Sequence, residues 1–169
     1  MITFGQNNNS DADVRVTRTA EGTAFEIAIA IINIAMWVMV ACIWKHLPEQ
    51  VATHFDATGT ADASGTKWVV PITALVGSFV SALMCFCAYR PARYINMPYE
   101  LKNQAQYIAV VRMARILGVA ISVMDIFIVW GMAGDTFAGS AVARRLTIGA
   151  VVVILIIVAW YTARIRRMG

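Results

Sequence analysis

Charge is what this sequence has least of. Asp, Glu, Lys and Arg make up 14% of its 169 residues, while 59% are hydrophobic. An average soluble domain is about a quarter charged. The shortage argues against a soluble globular class and for a membrane protein. Cysteine is also scarce. Cys42, Cys85 and Cys87 all fall in apolar runs, and Cys85-x-Cys87 matches neither a zinc nor a redox spacing, so no disulfide framework or metal motif follows. Only two histidines are present, and neither internal repeats nor low-complexity segments occur. The formal charge is +4 with a pI near 9.2. In a soluble chain that would raise nucleic acid as a partner. Here the basic residues flank apolar segments, where they fix orientation against anionic lipid instead. No nucleic-acid partner is expected.

What is present is four long apolar runs. A bilayer core about 30 Å thick needs about 20 apolar residues at about 1.5 Å rise each. The runs lie at about 24–44, 68–89, 115–137 and 146–163. Each reads as a helix, because backbone polar groups in lipid must be satisfied internally. The expected fold is therefore all-α: four transmembrane helices plus one interfacial amphipathic helix. The expected organisation is a mobile N-terminal tail over 1–23, a transmembrane domain over 24–163 and a basic C-terminus over 164–169. Residues 45–67 form the outer loop and 90–114 the inner loop.

Orientation follows from Lys and Arg. The tail (Arg15, Arg18), the inner loop with its border (Arg90, Arg93, Lys102, Arg112, Arg115) and the C-terminus (Arg164, Arg166, Arg167) carry ten, while Lys45, Lys67, Arg144 and Arg145 make four on the other side. The positive-inside rule places both termini in the cytoplasm. Trp44, Trp68 and Trp130 then mark the outer interface, and Tyr89, Trp160 and Tyr161 the inner one. The N-terminal tail reads poorly as a cleaved signal peptide. From Glu100, the inner loop places Leu101, Ala105, Ile108 and Val111 at helical spacing, opposite Lys102, Gln106 and Arg112. This predicts an amphipathic helix on the inner surface, running into the third span.

The candidate site residues gather in the outer loop. Pro48 ends the first span. His54-Phe55-Asp56, Gly59, Asp62 and Lys67 follow within twenty residues. Three readings stand side by side. In a structural reading, His54 and Asp62 bond the loop backbone, Phe55 dips toward the bilayer and Lys67 snorkels. In a recognition reading, the same side chains contact an extracytoplasmic ligand. In a third, His54, Asp56 and Asp62 hold a divalent ion, although four zinc ligands are not in sight. Nothing marks a nucleophile beside a base, so no enzyme and no cofactor are expected.

A second set of candidates lies inside the spans. Asn33, Ser78, Ser81 and Asp125 each fall near the middle of a predicted helix. They are expected to meet in one polar layer with Asp125 facing inward. Such a layer would glue helices together or respond to a proton or ion. The fourth span has no polar midpoint and reads as a lipid-facing helix.

The outer loop carries a resemblance. Leu47-Pro48, His54-Phe55-Asp56, Gly59, Asp62 and Lys67 resemble the signature of a bacterial family of multi-span membrane proteins defined by a domain of unknown function, which also occurs in SdpI-type immunity proteins. Ala52 departs from the proline usual there, and Asp56 from the common asparagine. The resemblance implies a protein of the bacterial cytoplasmic membrane that senses or neutralises an extracytoplasmic toxin, peptide or envelope cue and passes a signal to a cytoplasmic regulator or a membrane partner. A small structural or channel-like subunit of a larger complex, or a metal-dependent membrane enzyme, are the alternatives.

Overall fold

The computed structural model describes residues 2–4, 14–56, 58, 60–134 and 140–169. Two short strands, β1 (Ile2–Phe4) and β2 (Val14–Val16), pair antiparallel. Helix α1 (Ala20–Ile43) leads through a 3-10 turn (Trp44–His46) to strands β3 (Gln50–Phe55) and β4 (Ala61–Thr66). Helix α2 (Val69–Ala88), the short α3 (Pro91–Tyr94), α4 (Gln104–Met132) and α5 (Ser140–Arg166) complete the chain. Four helices are long and apolar enough to cross a membrane.

Helix α4 is the hub. It packs against α1, α2 and α5. That position explains why α4 holds most of the buried polar groups: Gln106, Arg115, Ser122 and Asp125. The main apolar core joins Met36 and Val40 of α1, Val70 and Ala74 of α2, and Val129 and Met132 of α4, closed by Leu47 and Val51 at the base of the hairpin. Helix α5 packs chiefly on α4 and leaves Val151, Val152, Leu155 and Ile156 exposed. Uncovered aliphatic side chains on an apolar helix suit contact with lipid tails.

Several expectations change. The loop over 45–67 is a β-hairpin, so the chain is not purely α. Its strands pair Gln50 with Thr66, Val51 with Gly65 and Ala52 with Ser64 before the register shifts. The amphipathic segment expected from Glu100 begins at Gln104 and forms the first turns of α4, which runs on without a break. Asn103 caps α4 by accepting from Gln106 N at 2.9 Å, while Gln106 accepts from Lys102 N at 2.6 Å and from Asn103 N at 3.3 Å. That capping box starts one continuous helix, because no proline interrupts the run to Met132. Gln106, placed by its sequence pattern on the polar face, is buried. At the other end, α4 stops at Met132 rather than 137, and Gly134 follows with φ +66°. A left-handed glycine just past a helix ends it. Residues 135–137 of the predicted third span lie outside the described residues, and α5 takes in Arg144 and Arg145, which precede the predicted fourth span.

The N-terminal tail is not wholly free. Val16 is buried, and its N–H donates to Tyr89 O at 3.0 Å. Thr19 caps α1, its Oγ1 accepting from Gly22 N at 3.0 Å.

Candidate functional site: a hairpin pocket at one end of the bundle

The turn of the hairpin is organised by Asp56. Its Oδ1 accepts from Thr58 N at 2.8 Å, Thr58 Oγ1 at 2.6 Å and Thr60 N at 2.9 Å, and its own N–H donates to Thr60 O at 2.9 Å. An aspartate that gathers the N–H groups two and four residues ahead closes a tight turn. An asparagine carbonyl could accept these same bonds. The carboxylate at this position therefore makes the turn as an amide would and adds a negative charge. Gly59 lies outside the described residues, and Phe55 is placed by its backbone, paired with Ala61.

The register slips twice, around Thr53 and around Asp62. Each slip leaves one residue without a cross-strand partner, as in a β-bulge. Bulges re-aim side chains, and here they bring His54 Nδ1 to 2.5 Å from Asp62 Oδ1. Both side chains are exposed, so the pair is open to solvent. Gly65 makes room for the bulge, since a Cβ there would lie 2.8 Å from Thr53 Cγ2. Lys67 does not simply snorkel. Its Nζ reaches Glu49 Oε1 at 2.7 Å and stands 5.4 Å from the Trp44 ring centroid. Trp44 and Trp68 stack at 4.9 Å and anchor the hairpin root. Pro48 is exposed beside the buried Leu47 and starts the extended chain into β3.

The hairpin leans over the ends of α4 and α5 and encloses a pocket of about 200 Å3. Phe127, Ile128 and Ile148 line it with apolar surface, and Thr53, His54, Asp56, Arg144 and Thr147 supply the polar groups. Gly131 lets α5 close in, because a Cβ there would meet Arg144 Cγ at 2.9 Å. An apolar cavity with a few convergent polar groups is the common form of a ligand site. His54 and Asp56 thus meet in one place, whereas Asp62 and Lys67 sit on the hairpin away from the lining. Arg144 completes the site and was missed, because it precedes the predicted fourth span. Among the described residues, no group of three His, Cys, Asp or Glu side chains is arranged to hold a metal ion.

The intramembrane set is only partly assembled. Asn33 Nδ2 donates to Ser81 Oγ at 3.2 Å and to Ile29 O at 2.9 Å. Trp37 Nε1 donates to Ser78 Oγ at 3.1 Å. Asp125 faces inward as expected and is 3% exposed, but it does not join that layer. Its carboxyl lies against Gly77, and its Oδ2 has no hydrogen-bond partner. The single layer becomes two neighbouring contacts, because Gly77 lets the carboxyl approach the α2 backbone instead of the serines.

A cluster that sequence reasoning missed lies at the opposite end of the bundle. Arg112 grips Glu21 with two bonds of 2.7 and 3.0 Å. Tyr89 Oη donates to Glu26, which also pairs with Arg18 at 3.3 Å. Tyr89 and then Glu26 hold the Arg18 guanidinium more firmly protonated than usual. Arg115 is buried, 5.9 Å from the Tyr89 ring centroid. The only hint in the sequence is that Glu21 and Glu26 open the first helix while Arg112 and Arg115 open the third span. Hydropathy averages such end charges away.

A profile described as "Domain of unknown function (DUF1648)" matches residues 31–76. The match runs from the second half of α1 through the whole hairpin into α2 and stops just before Gly77. Neither the curated proteins nor the solved structures contain a match to this chain.

Proposed function

We propose that this chain is a non-enzymatic protein of the bacterial cytoplasmic membrane that recognises an extracytoplasmic ligand through the hairpin pocket. Both termini face the cytoplasm and the hairpin faces outward. The ligand is a toxic peptide or an envelope cue, as the likeness to SdpI-type immunity proteins implies. The observation that carries the reading is the pocket, in which an apolar floor of Phe127, Ile128 and Ile148 meets His54, Asp56 and Arg144. An apolar peptide side chain would fill the floor, and a polar backbone or charged group would meet the rim. Two further observations support it. The domain match covers the hairpin, and the segments rich in Lys and Arg gather at the opposite end of the bundle, as the positive-inside rule requires for a hairpin outside.

The test has two parts. In a background without Cys42, Cys85 and Cys87, Gly59→Cys is expected to react with a membrane-impermeant thiol reagent on intact cells. A strain lacking the protein is then challenged with the secreted peptides of its own culture. Greater sensitivity, restored by the wild type but not by Ile128→Trp at equal membrane abundance, is the expected result. Labelling of Gly59→Cys only after lysis, or unchanged sensitivity of the deletion strain, would overturn the reading.

A further inference from the structure

Helix α4 carries Gly118, Ser122 and Asp125 on one buried face, at spacings that bring residues onto one side of a helix. Each meets a different fate. Gly118 admits close packing, since a Cβ there would lie 2.8 Å from Ile29 Cδ1 and 3.2 Å from Ser81 O. The Ser122 hydroxyl is engaged, donating to Gly118 O at 3.0 Å. Asp125 alone has a buried oxygen, Oδ2, with no donor to meet it.

That carboxyl is buried and closely packed. A Cβ added at Gly77 would fall 2.1 Å from Asp125 Cγ, so the carboxyl lies directly on the α2 backbone. The neighbouring core is Met36 and Val40 from α1, Val70 and Ala74 from α2, and Val129 from α4. No cation faces it. On α4 itself Arg115 lies ten residues away, about 15 Å along the axis, and stacks on Tyr89. On α1, Glu21 and Glu26 belong to the inner cluster. Lys45 and His46 lie beyond the far end of α1. On α2 the titratable groups are Cys85 and Cys87, about two and about three turns from Gly77. On α5, Arg144 lies beside Gly131 and Arg164 and Arg166 are in the last turn. The His54–Asp62 pair is out on the hairpin.

An ionised carboxylate that is 3% exposed, with no cation among the described residues beside it, is costly to bury. A bound cation would need several converging oxygens. The side facing α2 is closed by Gly77, and among the described residues no group of three His, Cys, Asp or Glu side chains is arranged to hold a metal ion. A proton needs neither space nor further ligands. We propose that Asp125 is a proton-binding site, its carboxyl held neutral for as long as α2 and α4 stay in contact at Gly77. This inference does not depend on the ligand reading of the hairpin pocket. Loss of either would leave the other standing.

Infrared spectroscopy of the purified protein in lipid at neutral pH tests it. A carbonyl band of a protonated carboxylic acid is expected, shifting when aspartate is labelled with 13C at its carboxyl carbon and absent in Asp125→Asn. The band should be the same in sodium and in potassium buffer. If Asp125→Asn does not fold, the variant with every other aspartate replaced by asparagine must keep the band. Absence of any labelled acid band in the wild type would overturn the proposal. So would a band that survives in folded Asp125→Asn, or one lost on adding sodium, which would make the site a cation site.

Discussion

The Asp125 carboxyl fills the space that a side chain at position 77 would need: a Cβ on Gly77 would stand 2.1 Å from Asp125 Cγ. Two residues on different helices therefore share one volume. Gly77→Ala should displace a short, buried side chain that has nowhere to turn. Overpacking of this kind costs about 1–3 kcal/mol. Gly77→Ala is expected to lose about that much in detergent unfolding. Gly77→Ala with Asp125→Ala should lose less than the two single losses added, since residues in contact couple. Simple additivity would show that the contact does not matter to packing.

Gln106 ties the start of α4 to the end of α5. Its Oε1 accepts from Lys102 N, and its Nε2 donates to Ile165 O at 3.0 Å. Asn103 Nδ2 reaches Met168 O at 2.7 Å, and Tyr99 Oη reaches Thr162 O at 2.8 Å. Three side chains of the segment that opens α4 thus reach carbonyls at and just beyond the last turns of α5. Gln106→Glu keeps the acceptor for α4 but places an oxygen against Ile165 O. A buried group left without its partner costs about 1–3 kcal/mol. Gln106→Glu should lower the unfolding temperature and speed proteolysis of the C-terminal segment. Asn103→Asp, which keeps the cap but loses the bond to Met168, should do so less.

Asp56→Ala removes the acceptor of three bonds in the hairpin turn. Loss of a turn acceptor of this kind should cost about 1 kcal/mol, by analogy with helix caps. It is expected to raise hydrogen exchange over Thr58 and Thr60 while leaving α1 and α2 unchanged. Asp56→Asn should preserve the turn and change only the charge at the pocket rim. If Asp56→Asn loosens the turn as much as Asp56→Ala, the negative charge and not the oxygen geometry holds it.

Arg112 and Glu21 form a two-bond pair between α4 and α1 with about half of each side chain exposed. Pairs this exposed are worth about 1 kcal/mol or less. Glu21→Gln should therefore change stability little in 1 M salt or in its absence. Tyr89→Phe, which takes a donor from Glu26 at a less exposed place, should cost more. A large loss for Glu21→Gln would mean that the inner cluster works as one network.

The sequence by itself determined the four spans, the end of the bundle each loop occupies and the hairpin residues worth attention. Those features are one-dimensional: apolar length, Lys and Arg balance, and the spacing from His54 to Lys67. It also marked Asp125 as inward-facing, because a lone carboxylate in an apolar run has few other places to go. What only the tertiary structure decided is which side chains meet. Asp125 faces Gly77 and not Ser78 or Ser81, because the absence of a side chain is the feature that matters and hydropathy does not register it. Arg144 joins the hairpin because α4 stops at Met132 and α5 begins before the charges. Gln106 is buried because α5 returns to cover it. Each of these depends on where one helix ends relative to another, and local periodicity carries no record of that.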